Sequence, residues 1–409
     1  MRIFQFILAS GLGFGVANGT TIAPEVLAVS QGEPVADTQG LQSWLASFRV
    51  RAAKAGISDA VMDAALTGLE YDADVIRRDR NQAEFTKTIW DYLDTATSDL
   101  RVQNGREALE KHAAVLDRIE ARYGVEKEVV AAIWGLESAY GTYRGTSSTL
   151  QSLATLAYDG RRAAFFESEL LAALEILQAG DTSPAQMQGS WAGAMGHTQF
   201  MPTSFLSYAV DFDGDGQRDI WGDDPTDAVA SAAAYLAGYG WTKDAPWGVE
   251  IALPQGFDYD QTSERVKKPV AEWQELGVRL VNGGDLPDHG AASVLLPGGA
   301  RGAAFLIFSN FGVIERYNTA DAYVIAVGHL ADLLRGGARI QADWPRDLRA
   351  LTLDERLLLQ KQLTLAGFDT LGVDGKIGPN TIAAIKAFQK SEGIVPDGYP
   401  SLDLMQKLQ

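Results

Sequence analysis

Residues 131–141, AAIWGLESAYG, decide how the rest of this chain is read. From Glu126 through Tyr140, the positions Val130, Ile133, Trp134 and Glu137 fall three and four residues apart, the spacing of one helical face. A carboxylate is therefore expected on the same buried stripe as two aliphatic side chains and an indole. Gly141 is expected to end that helix. A Glu packed against Val130, Ile133 and Trp134 loses hydration as an anion, which raises its pKa toward the working range of a general acid. The alternative, a Glu at a groove margin satisfied by a backbone donor or a hydroxyl, is the commoner fate of an isolated helical carboxylate. The surrounding sequence offers no obvious second catalytic carboxylate, so the rest of the chain has to decide.

The chain has 409 residues, with 35 Lys and Arg against 53 Asp and Glu and a net charge of -18. That length allows two or three domains with a sizeable core, and the composition is that of a soluble globular protein. The negative balance repels polyphosphates, which argues against nucleic acid or an anionic membrane surface as a partner. With no cysteine, disulfides, thiolate metal sites, thiol nucleophiles and lipid-modified cysteines are excluded, and any metal must use oxygen or His ligands. Arg2 leads into IFQFILASGLGFGVA at 3–17, which reads as an export signal within residues 1–28, cleaved after a small residue such as Ala17, with further candidates near Ala23 and Ala28. A retained N-terminal anchor is the competing reading. The short run and light flanks favour removal, hence a periplasmic address and no permanent membrane anchor.

Residues from about 40 to 240 carry helical spacing almost throughout, as in LQSWLASFRVRAAKAG, REALEKHAAVLDRIEARYG and RRAAFFESELLAALEILQAG, each ending at glycine. Between about 246 and 316 the pattern changes to short apolar runs bounded by turn residues, GVEIALP, ASVLLPGG and AAFLIFSNFG, which predicts a small strand-containing insertion. Helix returns in TADAYVIAVGHLADLLRGG, RIQADWPRDLRA reads as a linker, and residues 350–409 form a compact helical unit around a Gly-rich turn. The fold class is mainly α, with a catalytic body over 40–340 and a small C-terminal domain over 350–409.

About fifty residues after Glu137 comes GSWAGAMGHTQFMPTSF at 189–205. Gly193, Ala194 and Gly196 permit close backbone approach, Ser190 and Gln199 offer neutral hydrogen bonds, and Phe200 and Met201 supply an apolar wall, a mixture that suits a sugar. A tight helix junction would also use such small residues. His197 is read as a partly exposed or hydrogen-bonded histidine without a catalytic role. In DFDGDGQRDIWGDDPTD, Asp211, Asp213 and Asp215 alternate and Gly216 takes the sixth place, which sets three oxygen ligands and a sharp turn as in a calcium-binding EF-hand loop, with the Gln217 carbonyl next. Gly222 stands where a bidentate Glu would close the shell, so closure falls to Asp219, Asp223 or Asp227. An Asp-rich surface turn without an ion is the plainer alternative.

GLESAYG at 135–141, GSWAGAMGHTQFMPTSF, the Asp-rich loop and RYNTADAY at 316–323, in this order, resemble the lytic murein transglycosylases of the B type over most of residues 40–340. The resemblance implies a lysozyme-like helical core that cleaves the β-1,4 bond between N-acetylmuramic acid and N-acetylglucosamine in peptidoglycan. It places the catalytic Glu on Glu137, the saccharide-contacting Ser and Gln on Ser190 and Gln199, and the lining Phe and Met on Phe200 and Met201. The family's cleft tyrosines map onto Tyr235, Tyr317 and Tyr323, and less directly onto Tyr92, although a single Tyr is more often a core residue. It also matches the closing acid of the Asp-rich loop to Asp227, across a longer spacing, so a structural calcium ion is expected and no organic cofactor. RLLLQKQLTLAGFDTLGVDGKIGPNTIAAIKAFQKSEGIVPDGYPS resembles the three-helix peptidoglycan-binding module, which implies a wall tether. The implied partners are glycan strands and cell-wall remodelling complexes.

One carboxylate fits that chemistry. An ordinary glycosidase pairs an acid with a second carboxylate that activates water or attacks the sugar. A lone Glu can protonate the leaving oxygen and then deprotonate the C6 hydroxyl of the same muramic residue, so the resemblance implies a 1,6-anhydro product and a carbon–oxygen lyase. Asp159, Glu167 and Glu169 could supply a second acid, but a solvated helix face is the preferred reading for them. GSWAG lacks the strand, turn and helix order of a Ser hydrolase, and no phosphate loop or dinucleotide motif occurs. A muramidase using water and a non-catalytic wall-binding scaffold remain the competing functions.

Overall fold

Hydroxyl side chains start the helices where the sequence places a Ser or Thr before an apolar run. Ser58 accepts from the Val61 N–H, Thr88 from Asp91, Ser98 from Arg101, and Thr352 forms a full capping box with Glu355. The computed structural model describes residues 37–80, 87–159 and 161–408; the expected export signal lies outside them. The chain opens with helices α1 (Thr38–Lys54), α2 (Asp59–Leu66), α3 (Ala73–Arg80), α4 (Ile89–Ala96), α5 (Asp99–Lys111), α6 (Ala113–Tyr123) and α7 (Lys127–Ser138). Next come β1 (Ser147–Ser148), α8 (Thr149–Asp159), α9 (Ala163–Ala179), β2 (Gln188–Gly189), α10 (Pro202–Tyr208) and α11 (Thr226–Gly238). The strand-bearing part holds β3 (Gly248–Ala252), α12 (Val270–Glu275), β4 (Arg279–Leu280), β5 (Ser293–Leu295) and β6 (Ala304–Ile307). It is followed by α13 (Ser309–Tyr317), α14 (Asp321–Leu334), α15 (Leu353–Leu365), α16 (Pro379–Ser391) and α17 (Leu402–Lys407). The mainly helical class with a small strand-containing insertion is what the periodicity predicts.

The chain divides into two compact units. One contains residues 136–231 and the described residues before 81. Here α8 and α9 pack side by side, α1 and α3 lie on α8, α2 and α10 on α9, and β1 pairs antiparallel with β2. Asp79, 2% exposed at the end of α3, accepts from both Arg161 and Arg162 and so fixes the approach to α9.

The other unit contains residues 87–135 and 232–408. Its antiparallel sheet runs β4-β3-β6-β5, with Ile251 opposite Leu280, Val249 opposite Leu306 and Val294 opposite Leu306. Trp273, Val278, Val294, Leu306 and Phe308 form the core beneath it. The C-terminal helices enclose their own core of Leu359, Leu363, Ile385, Phe388 and Leu404. Gln360, 1% exposed, holds the Gly-rich turn by accepting from the Asp374 and Gly375 N–H groups and donating to Asp374, the Lys376 carbonyl and Thr381.

The segment read as a linker is pinned along its length. Glu250 accepts the backbone N–H groups of Gln341 and Ala342, Arg339 donates to the Thr97 carbonyl, Arg346 forks onto Asp94, and Trp344 packs 6.1 Å from Trp90. Beyond it, Lys386 donates from its buried ammonium to the Tyr259 and Thr262 carbonyls and the Thr262 hydroxyl. Asp397 accepts the Ala300 N–H. The C-terminal module is therefore seated on the strand-bearing part by buried polar contacts rather than hanging from a free tether.

α14 is buried over most of its length, and Gly328 lets the Trp247 ring lie on it, since a Cβ there would meet the indole at 2.4 Å. His329 is 6% exposed on the same helix, and burial, with Arg339 adding repulsion, pushes its pKa down to about 4. The unfolded chain takes up that proton near the ordinary value of about 6.5, so this contribution to stability is whole above pH 6.5 and is lost as pH falls toward 4. Denaturant unfolding at pH 7 and pH 4 should show a loss of up to about 3 kcal/mol that a His329→Leu variant lacks. Equal losses in the two proteins would contradict a buried neutral imidazole.

Candidate active site

α7 does not present one apolar stripe: residues 129–138 are buried on every face. The small side chains Ala131, Ala132 and Gly135 let neighbours close in around the whole helix, so Glu137, 4% exposed, lies inside rather than at the edge of a solvated face. The helix ends at Ser138, earlier than the expected glycine. Ala139, Tyr140 and Gly141 follow with φ of 49°, 58° and 84°, a left-handed turn in which two residues carry side chains. Each such residue costs roughly 1–2 kcal/mol and must be held from outside. Ser138 does this: its hydroxyl donates to the His197 carbonyl at 2.5 Å and accepts the Gly141 N–H at 3.0 Å, while its carbonyl takes the Tyr143 N–H.

His197 belongs to the 189–205 segment, so this bond joins the two motifs. Gly145 and Gly189 allow the segment to pack, because a Cβ on either would come within 2.1 Å of a backbone carbonyl oxygen. Ser190, 6% exposed, accepts the Ala192 and Ala194 N–H groups on its hydroxyl and shapes the turn. Met195 and Phe200 exchange both backbone hydrogen bonds, at 2.8 and 3.0 Å. Between them Gln199 sits at φ 51°, held by its side-chain amide donating to the Arg144 and Gly196 carbonyls. Phe200 is fully buried and Met201 is 5% exposed. Glu137, Ser190, Gln199, Phe200 and Met201 thus share one unit.

The tyrosines lie in the other unit. Tyr235 donates its hydroxyl to the Arg316 carbonyl at 2.6 Å, its ring meets Tyr317 edge-on at 5.0 Å, and Tyr317 stacks with Tyr323 at 6.5 Å. All three are nearly buried, and Tyr92 is half-buried on α4, which packs on α14.

His197 is 3% exposed. Its Nε2 lies 2.7 Å from the Gly222 carbonyl and 3.1 Å from Arg144 Nη1, and burial holds the imidazole below its usual pKa, with Arg144 beside it acting the same way. Arg144 donates to the Trp221 and Gly222 carbonyls and to Asp223. The acids weighed as second catalytic groups have other partners. Asp159 pairs with Arg80 and Glu167 with Arg51. Glu169, expected on a solvated face, is 1% exposed: it accepts the Thr203 N–H and hydroxyl, and burial pushes its carboxyl above the usual range against those two bonds. Sequence reading missed Ser138, Arg144 and Glu169 as organisers, since a single Ser, Arg or Glu carries no signal in the sequence of which distant group it meets.

The Asp-rich loop brings three carboxylates together. Carboxylate oxygens of Asp211, Asp213 and Asp215 lie within 4.8 Å of one another, all exposed, while Gly214 and Gly216 supply the left-handed turns. Asp227, 4% exposed and outside that trio, accepts the N–H groups of Phe212, Asp213 and Asp219 and binds the loop to α11. Three convergent carboxylates are hard oxygen donors of the kind that suits a calcium ion.

Residues 40–332 match the transglycosylase SLT domain model, and residues 352–408 match a peptidoglycan binding domain model. The chain is 35% identical over 247 residues to membrane-bound lytic murein transglycosylase B of Escherichia coli K12, covering 59% of this chain and 65% of that protein's length. It superposes with a TM-score of 0.88 on SltB3 from Pseudomonas aeruginosa in complex with NAG-anhNAM-pentapeptide, at 49% identity over 90% of this chain and 99% of that one. Slt35 of Escherichia coli in complex with calcium matches at 29% identity and a TM-score of 0.63, over 78% of this chain and all of that one. With the model spanning most of its length and a structural relative of 49% identity matched almost end to end, this chain belongs to the transglycosylase SLT domain family.

Proposed function

We propose that this chain is a periplasmic lytic transglycosylase that cleaves the β-1,4 bond between N-acetylmuramic acid and N-acetylglucosamine in peptidoglycan and leaves 1,6-anhydromuramic ends. Residues 40–340 would do the chemistry and 350–409 would bind the wall. The observation that carries this reading is Glu137, a 4% exposed carboxyl on the last turn of α7, next to the Ser138 bond that draws in the Ser190–Met201 segment. Asp159, Glu167 and Glu169, the acids weighed for the second role, are engaged by Arg80, Arg51 and Thr203. With no second carboxylate assigned, Glu137 takes both proton transfers. As acid it protonates the glycosidic oxygen; the bond from C1 to that oxygen breaks and positive charge develops at the anomeric carbon. As base it then accepts the proton of the C6 hydroxyl, whose oxygen bonds to C1 and closes the anhydro ring. Ser190 and Gln199 would hold the sugar by neutral hydrogen bonds beside Phe200 and Met201. In the other unit, the family resemblance assigns glycan contact to Tyr235, Tyr317, Tyr323 and Tyr92. The NAG-anhNAM-pentapeptide bound by SltB3 has the anhydro end that this chemistry would leave.

The Asp211, Asp213 and Asp215 carboxylates, the Gln217 carbonyl and Asp227 would hold a structural calcium ion, whose charge offsets the repulsion among the acids. The calcium complex of Slt35 supports this assignment. Calcium at a hundred times its Kd should add about 2.7 kcal/mol to unfolding, seen as a rise in Tm of several degrees, and Asp213→Ala should abolish the rise. A wild-type melting curve that does not move with calcium would remove the site.

Purified sacculi incubated with the wild-type chain should release muropeptides with 1,6-anhydromuramic ends, and Glu137→Gln should lower the rate at least about a hundredfold, as expected for loss of a general acid and base. Equal release by the variant would sink the role of Glu137. Reducing-end products would instead indicate a muramidase.

A further inference from the structure

Helix α10 starts without a cap of its own. Met201 at its N-cap makes no side-chain cap bond, and Pro202 at the first helical position has no N–H, so the first N–H the helix must satisfy is that of Thr203. Its acceptor comes from a different helix. Glu169, on α9, takes the Thr203 N–H at 2.9 Å and the Thr203 hydroxyl at 2.8 Å, in surroundings where Glu169 is 1% exposed and Pro202 and Phe205 are buried. Immediately upstream lies Gln199, with its left-handed backbone at φ 51°. A short strained segment keeps such a conformation only if both of its ends are fixed. The Met195–Phe200 backbone pair and the Gln199 amide fix one end, and the Glu169–Thr203 contact fixes the other.

We infer that Glu169 is a positioning residue, which acts through Thr203 to hold Gln199, Phe200 and Met201 in the conformation that receives the glycan. This rests on the proposed function and assigns a task to a buried carboxyl that the chemistry itself does not use. Without Glu169 the half-buried Thr203 N–H and hydroxyl lose their acceptor beside the buried Pro202 and Phe205, and the start of α10 shifts to find another. The glycan-facing segment moves with it. Glu137, held through Ser138 and His197, keeps its place.

The two possible side-chain replacements therefore separate. Glu169→Gln preserves both contacts, because its carbonyl oxygen accepts the Thr203 N–H and its amide donates to the Thr203 hydroxyl, which rotates to accept. Glu169→Leu preserves neither. With a soluble uncrosslinked glycan strand as substrate, Glu169→Leu should raise KM roughly tenfold with kcat within about twofold of wild type, and Glu169→Gln should stay near wild type in both. Thr203→Val, which keeps the N–H and loses only the hydroxyl, should raise KM by about threefold, less than Glu169→Leu does. An unchanged KM in Glu169→Leu or in Thr203→Val, a fall in kcat alone, or a Glu169→Gln variant as impaired as Glu169→Leu would overturn the inference. Calorimetric affinity for the same glycan, measured for the series in a Glu137→Gln background, follows the wall without turnover. A wild-type protein that forms no anhydro product would count against the proposed function, and the affinity series would still decide the role of Glu169.

Discussion

The hydrogen bond from the Ser138 hydroxyl to the His197 carbonyl is the constraint on which the candidate site depends. It stops α7 one residue after Glu137, where the backbone would otherwise continue as helix, and it supports three successive left-handed residues. The same serine oxygen accepts the Gly141 N–H, so one side chain satisfies the turn and ties it to a second segment. His197 carries the tie onward, with its backbone N–H on the Ile220 carbonyl and its ring on the Gly222 carbonyl. Glu137, Gln199 and the Asp-rich loop are thereby held in register by backbone groups that no substitution at their own positions would remove.

Electrostatics follows from that geometry. Unpaired charges in a closed interior are costly, and this unit resolves the cost by giving its buried acids fixed donors. Asp79 has two arginines, Asp181 has Arg218, Asp227 has three loop N–H groups and Glu169 has Thr203. Each of those acids is held by its partners within the fold. The three exposed aspartates of the loop accept backbone N–H groups from Gly214, Asp215, Gly216 and Gln217, yet their carboxylate oxygens converge within 4.8 Å, and a divalent ion would relieve that repulsion.

Much of this was legible in the sequence, for reasons that can be stated. Helical periodicity, short apolar runs bounded by Gly and Pro, and the alternating Asp loop are local signals, and they account for the helical body, the strand-containing insertion and the convergence of Asp211, Asp213 and Asp215. Glu137 could be singled out because it sits on an apolar face. What could not be read was long-range. The burial of α7 on all sides depends on neighbours that Ala131, Ala132 and Gly135 merely permit. The depth of Glu169 depends on α10 arriving with a proline and no cap. The fixed course of residues 339–350 depends on Glu250, about ninety residues earlier, meeting two backbone N–H groups, as only the fold arranges.

The central claim is that one carboxylate performs both proton transfers and that water takes no part in closing the product. Digestion of purified glycan strands in water enriched in oxygen-18, followed by mass spectrometry of the released ends, tests it most directly. The account predicts anhydromuramic ends lighter than the hydrolysis product by one water and carrying no heavy oxygen. Muramic ends that are reducing and gain one oxygen-18 would contradict it.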